Sequence, residues 1–285
     1  MLRRLLGVVA VAAVALAVGI PRALADDQAY PTFYLALGDS LAAGYQPDPA
    51  IGRDKGYVAD VYRSLTTADR YGRMELQNLA CDGATTATLL SGGGCAYPGA
   101  TSQLAAAERF LAEHPGRVKV ITIDIGGNDI NRCAAGGVID QACAVAAVGT
   151  IATNLTEIVR RLDRAAPGIP IVGMTYYDPY LAAWLTGPAG QAVAQQSVQL
   201  TVLLNQRLTE VYASAGVRVA DVGAAFATTD LTTPATLPGV GTVPLAVFNI
   251  CVWTWMCMPP PGPDIHPTTA GYQVIADTFL ARLPG

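Results

Sequence analysis

Three short stretches hold residue types that could do covalent chemistry together. In "LALGDSLAAGY" (35–45) a serine, Ser40, follows glycine and aspartate at the end of an apolar run. A serine hydroxyl becomes a nucleophile only when a base takes its proton, and the oxyanion that then develops on the attacked carbonyl needs hydrogen-bond donors. The chain contains two histidines, so the base can be sought by elimination. His114 stands in "AEHPG" at a helix end, where an imidazole near the last carbonyls needs no further role. His266 stands in "PDIHPTTAGY", ahead of the final helical pattern, with Asp264 two residues before it. Asn128, in "IGGND", follows two glycines that let its amide turn inward and the main chain pass close to a ligand. With the main-chain N–H groups of Ser40 and Gly83 it makes three donors of the kind an oxyanion hole uses. Each residue also has an ordinary reading: a serine between strand and helix is a common N-cap, and an asparagine after Gly-Gly a common turn residue.

Whether these residues meet depends on the elements that carry them. Apolar runs at 32–37, 74–79, 118–125, 169–174 and 217–222 read as buried strands. Helical patterns lie at 56–68, 101–113, 145–166 and 192–215, and a last one at 268–283 closes the chain. Strands alternating with helices imply an α/β fold with a parallel sheet covered on both faces, and such sheets bind ligands beyond the carboxyl ends of their strands. The loops at Gly38-Asp39-Ser40, Cys81-Asp82-Gly83 and Gly126 to Asp129 should therefore gather at one edge. The segment from Thr228 to Pro263 is long, proline-rich and without clear period, which reads as an ordered irregular loop. Within it "CVWTWMCMPPP" would suit an apolar wall for an acyl chain, or ordinary core beneath the loop.

Residues 1–25 carry Arg3 and Arg4, an apolar stretch and then Ala-Leu-Ala, the layout of a secretory signal peptide cleaved after Ala25. Residues 26–285 then form a single domain, since no repeat or low-complexity linker interrupts them. Cleavage leaves 15 basic against 22 acidic side chains, which argues against nucleic acid as a partner. Stable membrane insertion after signal cleavage is not expected either, and the protein reads as a secreted, extracellular monomer. All six cysteines lie in the exported part, in three close-spaced couples: Cys81 with Cys95, Cys133 with Cys143, and Cys251 with Cys257. An oxidising compartment makes three sequential disulfides the expectation; zinc is the rival, but no CxxC occurs and histidine is scarce.

Four ordered blocks, "GDSLAAGY", "NLACDGATT", "IGGND" and "DIHP", resemble the SGNH hydrolases, also called GDSL esterases and lipases. The resemblance implies a flavodoxin-like three-layer α/β/α fold without metal or other cofactor. It also implies Ser40 as nucleophile, His266 as base, and Ser40, Gly83 and Asn128 as the oxyanion hole. The chain departs from the family at Ala42, where Ser or Thr is usual, and at the acid. The family places its acid three residues before the histidine, where Pro263 stands here, so Asp264 and the Pro263 carbonyl compete to orient His266. The implied activity is hydrolysis of a small-molecule or lipid carboxylic ester through an acyl-enzyme. A polysaccharide O-deacetylase is the alternative, and a non-catalytic binding protein on the same fold a more distant one.

Overall fold

The apolar runs become the strands of one parallel sheet, and the periodic segments between them its covering helices. The computed structural model describes residues 30–68, 71–135 and 138–283; the expected leader lies outside them. Everything below belongs to the unit Pro31–Gly285. In chain order the elements are β1 (Thr32–Gly38), α1 (Tyr57–Thr67), β2 (Met74–Asn78), α2 (Thr86–Ser91), α3 (Gln103–Glu113), β3 (Val118–Asp124) and α4 (Gly127–Asn131). A small hairpin of β4 (Ala134–Ala135) and β5 (Val138–Ile139) follows, then α5 (Gln141–Ala165), β6 (Ile171–Met174), α6 (Pro188–Ser214), β7 (Arg218–Ala220) and α7 (Val222–Ala225). The chain closes with a second hairpin, β8 (Pro234–Leu237) and β9 (Gly241–Pro244), then α8 (Leu245–Trp253) and α9 (Thr269–Leu280).

The sheet order is β2-β1-β3-β6-β7, and every pair is parallel. This is the doubly wound, flavodoxin-like order, whose direction reverses between β1 and β3. Right-handed crossovers then put α1 on one face and α3, α5 and α6 on the other. In agreement, α1 packs on α9, while α3 packs on α5 and α5 on α6. Leu35, Leu37, Ile121, Ile123, Val172 and Met174 fill the strands between the layers with no exposure. Among the described residues, α5 is the one helix long and apolar enough to cross a membrane. Its buried positions, from Ala144 through Val148, Ile151, Leu155 and Ile158 to Leu162, recur every three or four residues, the spacing of a helix laid on a core.

Two expectations change. The segment 228–263 is more regular than its sequence suggests, because it contains the β8–β9 hairpin and α8. The hairpin turn depends on Gly239 and Gly241, both at positive φ (77° and 112°). Helix α8, "LAVFNICVW", is apolar on nearly every side, so no helical period marks it. Ser40 is also no N-cap: the chain turns tightly through 39–45, and α1 begins only at Tyr57 after Gly56. The capping carboxylate of that turn is Asp39, whose Oδ1 accepts the Leu41 N–H at 2.9 Å.

Candidate active site

The turn after β1 and the segment before α9 meet at the carboxyl edge of the sheet. His266 Nε2 lies 2.7 Å from Ser40 Oγ, and His266 Nδ1 lies 2.6 Å from Asp264 Oδ1. With its Nδ1–H donating to the carboxylate, the ring has only Nε2 left to accept the serine proton. The same Asp264 oxygen accepts the main-chain N–H of His266 at 2.9 Å, so one carboxylate fixes both ring and backbone. The two-residue spacing therefore still brings Asp264 to the ring. Burial works to raise the Asp264 pKa, but the hydrogen bonds from the His266 side chain and main chain outweigh it and hold the carboxyl below its ordinary value. Ser40 is buried and the imidazole mostly so.

Contacts from distant elements brace the histidine. Tyr177, in the loop after β6, donates its hydroxyl to the Ile265 carbonyl at 2.7 Å. The Tyr45 ring packs on the imidazole, centroids 4.4 Å apart. Trp255 donates its main-chain N–H to the His266 carbonyl (3.0 Å) and its indole N–H to Gln46 (2.9 Å). The "CVWTWMCMPPP" stretch thus supports the His266 segment and is not part of the cleft wall.

The donors expected of the other two loops are stitched to this turn. The Cys81 N–H reaches the Gly38 carbonyl at 3.1 Å, bringing the Gly83 loop to the end of β1. Asn128 spends one N–H of its amide on the Ala84 carbonyl (3.0 Å), leaving the second available. The carboxylate of Asp129 accepts the Thr86 main-chain N–H (2.9 Å) and hydroxyl (2.7 Å), tying the same two loops together. The main-chain N–H groups of Ser40 and Gly83 make no hydrogen bond among the described residues. The two glycines before Asn128 are required for different reasons: Gly126 sits at φ 120°, and a Cβ on Gly127 would come within 2.9 Å of the Tyr176 ring. His114 takes no part, capping α3 with Nδ1 at 2.8 Å from the Phe110 carbonyl.

Ser40, Asn128 and His266 open onto a cleft walled by Leu41, Ile130, Ile139, Tyr176, Leu200 and Leu204, whereas Gly83 lies beside the cleft and not in its lining. The contribution of α6 to the wall has no signature in the sequence, since Leu200 and Leu204 read as core positions of an amphipathic helix. The three expected bridges, Cys81–Cys95, Cys133–Cys143 and Cys251–Cys257, are all formed.

A flavodoxin-like sheet with a serine, an imidazole and a carboxylate in line at its switch point defines a hydrolase of the SGNH fold. The chain belongs to the GDSL-like lipase/acylhydrolase family, whose profile matches residues 36–274. It is similar in structure to the extracellular lipase of Streptomyces rimosus, with TM-score 0.57 and 20% identity over 88% of this chain and 100% of that one. It is also similar to the lipase Lip_vut3 from a goat rumen metagenome (TM-score 0.55, 16% identity, 88% and 97% covered). A phospholipase A1 from Streptomyces albidoflavus NA297 aligns at TM-score 0.52 and 18% identity, with 89% and 100% covered. At these identities the likeness is one of fold. No curated protein matches the chain.

Proposed function

We propose that the protein is a secreted carboxylic ester hydrolase working through an acyl-enzyme on Ser40. The observation that carries this reading is the unbroken hydrogen-bonded line Asp264–His266–Ser40 at the mouth of an apolar cleft. His266 takes the Ser40 proton as Oγ attacks the ester carbonyl, and Asp264 holds the tautomer that makes Nε2 the acceptor. The oxyanion rests on the N–H groups of Ser40 and Gly83 and on the free N–H of Asn128. His266 then gives the proton to the departing alkoxide, and water, activated by the same imidazole, releases the acid. The cleft wall joins the aliphatic Leu41, Ile130, Ile139, Leu200 and Leu204 to three tyrosines, Tyr176, Tyr177 and Tyr180, and its aliphatic majority supports a small-molecule or lipid ester over a polysaccharide acetate. Three disulfides and the leader-like residues 1–25 support export, with 26–285 as one domain.

A panel of chromogenic esters of increasing acyl length tests the reading. The wild-type chain should turn over at least one member, and Ser40→Ala should lower turnover by a thousandfold or more, the scale of loss when a nucleophile is deleted, on the order of 10³–10⁶. Ser40→Ala retaining more than about a hundredth of wild-type turnover would reject the assignment.

A further inference from the structure

Beneath the Ser40 turn two carboxyl groups meet without a basic side chain against them. Asp39, buried at the edge of the cleft, binds the Leu41 N–H through Oδ1, and its Oδ2 lies 3.3 Å from the Tyr176 hydroxyl. Asp124, the last residue of β3, has no exposure. It accepts the Tyr57 hydroxyl on Oδ1 (2.5 Å) and the Asp39 main-chain N–H on Oδ2 (3.3 Å). The Asp39 N–H bond to Asp124 brings the two carboxyl groups together in one buried site. Two carboxylates there would have acceptors only and repel, so one of the pair keeps a proton. Room for the pair comes from Gly38, whose φ is 148° and on which a Cβ would fall 2.3 Å from Asp124 Oδ1. Gln103 closes over the same glycine, accepting its N–H (2.7 Å) and donating to its carbonyl (3.0 Å).

The titratable groups facing the pair are Tyr34 from β1, Tyr57 from α1, Tyr176 and Tyr177 from the loop after β6, Tyr212 from α6, Tyr272 from α9, and His266. Among the described residues no lysine or arginine forms an ion pair or hydrogen bond with either carboxyl, whose bonds come from Leu41, Tyr57, Tyr176 and the Asp39 main chain. The pair therefore holds a single negative charge, and the question is where it sits.

We propose that Asp39 is a positioning residue for the Ser40–His266 couple, kept ionised because Asp124 beneath it is a neutral carboxylic acid that keeps its proton and donates a hydrogen bond to Asp39. Ionised Asp39 grips the Leu41 N–H and so sets the turn that presents Ser40. It also lays a negative charge near the imidazolium that forms as the serine is deprotonated. The asymmetry has a physical cause. Burial and then the Asp39 charge push the Asp124 carboxyl far up, outweighing the bonds it accepts from Tyr57 and the Asp39 main chain, whereas the upward push of burial on Asp39 is opposed by Asp124, by the Leu41 N–H and Tyr176 hydroxyl and by the charge of His266.

The activity arm of the test rests on the hydrolase reading above; the spectroscopic arm does not. In Asp124→Asn the amide supplies an N–H where the acid supplied an O–H, so kcat should stay within about threefold of wild type. Asp39→Asn removes the charge and should lower kcat by about tenfold or more with KM little changed, the mark of a group that acts on the transition state alone. Infrared difference spectra at neutral pH, taken in an Asp178→Asn background because that buried carboxyl is itself pushed up to about 7, should show the C=O band of a protonated carboxylic acid that is missing once Asp124→Asn is added. Equal loss of activity in both variants, or survival of that band in Asp124→Asn, overturns the proposal. Should Asp39→Asn fail to fold, the infrared comparison decides alone. Wild-type protein without turnover on any ester counts against the hydrolase reading and leaves the infrared result standing.

Discussion

Each residue of the Asp264–His266–Ser40 line is held by more than one bond, and Asp264 shows what that implies for a substitution. Its Oδ1 accepts from both the ring and the main chain of His266. The main chain of Asp264 is itself anchored, its N–H reaching the Trp255 carbonyl at 3.3 Å. Asp264→Asn keeps the shape and one acceptor, so the backbone bond can persist while the charge is lost. An amide that turns its N–H toward the ring would force the wrong tautomer, putting the proton on Nε2 where the serine proton must go. Turnover should fall on the order of 10⁴-fold, the loss known for the equivalent change in serine proteases. A loss below about tenfold would mean that main chain alone orients His266. The far-UV circular dichroism of the variant should match wild type, since the substitution sits at the surface end of the sheet and leaves the core intact.

At the scale of elements, two of the disulfides brace different parts of the site, one the cleft wall and one the His266 segment. Cys133–Cys143 closes the β4–β5 hairpin, which carries Ile139 at the cleft wall. Cys251–Cys257 ties the end of α8 to the turn bearing Trp255, whose N–H holds the His266 carbonyl. The first loop spans 10 residues and the second 6; in the chain-entropy model each bridge contributes about 2–3 kcal/mol. Paired Cys→Ser variants should therefore lower the melting temperature similarly and differ in kinetics. Loss of the 133–143 bridge should raise KM for longer acyl chains, and loss of the 251–257 bridge should lower kcat for every ester. Identical kinetic effects would show the bridges to be generic staples. The sequence reveals these elements unevenly, and for physical reasons. Five strands and five long helices announce themselves by period, and Ser40, Asn128 and His266 by local motifs. The brackets around them do not, because Asp39 to Asp124, Gly38 to Gln103 and Ile265 to Tyr177 join residues 65 to 88 positions apart. Helix α8 is hidden for the opposite reason, being apolar on nearly every side and hence without a period.

For the whole molecule, two sets of carboxyl groups pull stability in opposite directions with pH. Asp82, Asp230 and Asp264 ionise below their ordinary range, Asp82 chiefly through its bond to Arg53 and Asp230 through main-chain N–H groups of its turn. A depressed group stabilises the fold above its unfolded pKa and loses that contribution as pH falls through the folded value. Asp39, Asp124 and Asp178 are raised, each first by burial. A raised group favours the fold most below its unfolded pKa, and that advantage drains away as pH climbs to the folded value. The first set costs stability in strong acid and the second from weak acid upward, so the melting temperature should peak near pH 4–5, close to the ordinary carboxylate pKa of about 4, and decline toward pH 8. Asp178 tests the declining side most directly. It has no exposure, caps the turn at Tyr180, accepts the Ser197 hydroxyl at 2.6 Å, and is pushed up to about 7. Ionising near 4 when unfolded and at about 7 when folded makes folding less favourable by on the order of 4 kcal/mol across that interval. Asp178→Asn can keep the site satisfied, because Ser197 can accept the amide N–H while donating to the Ala194 carbonyl, 2.9 Å away. The melting temperature of Asp178→Asn should therefore match wild type near pH 4 and exceed it increasingly toward pH 8. The exposed Asp163→Asn, which removes a charge without a buried partner, should track wild type throughout. Parallel curves for wild type and Asp178→Asn across that range would show that Asp178 bears no buried proton at neutral pH.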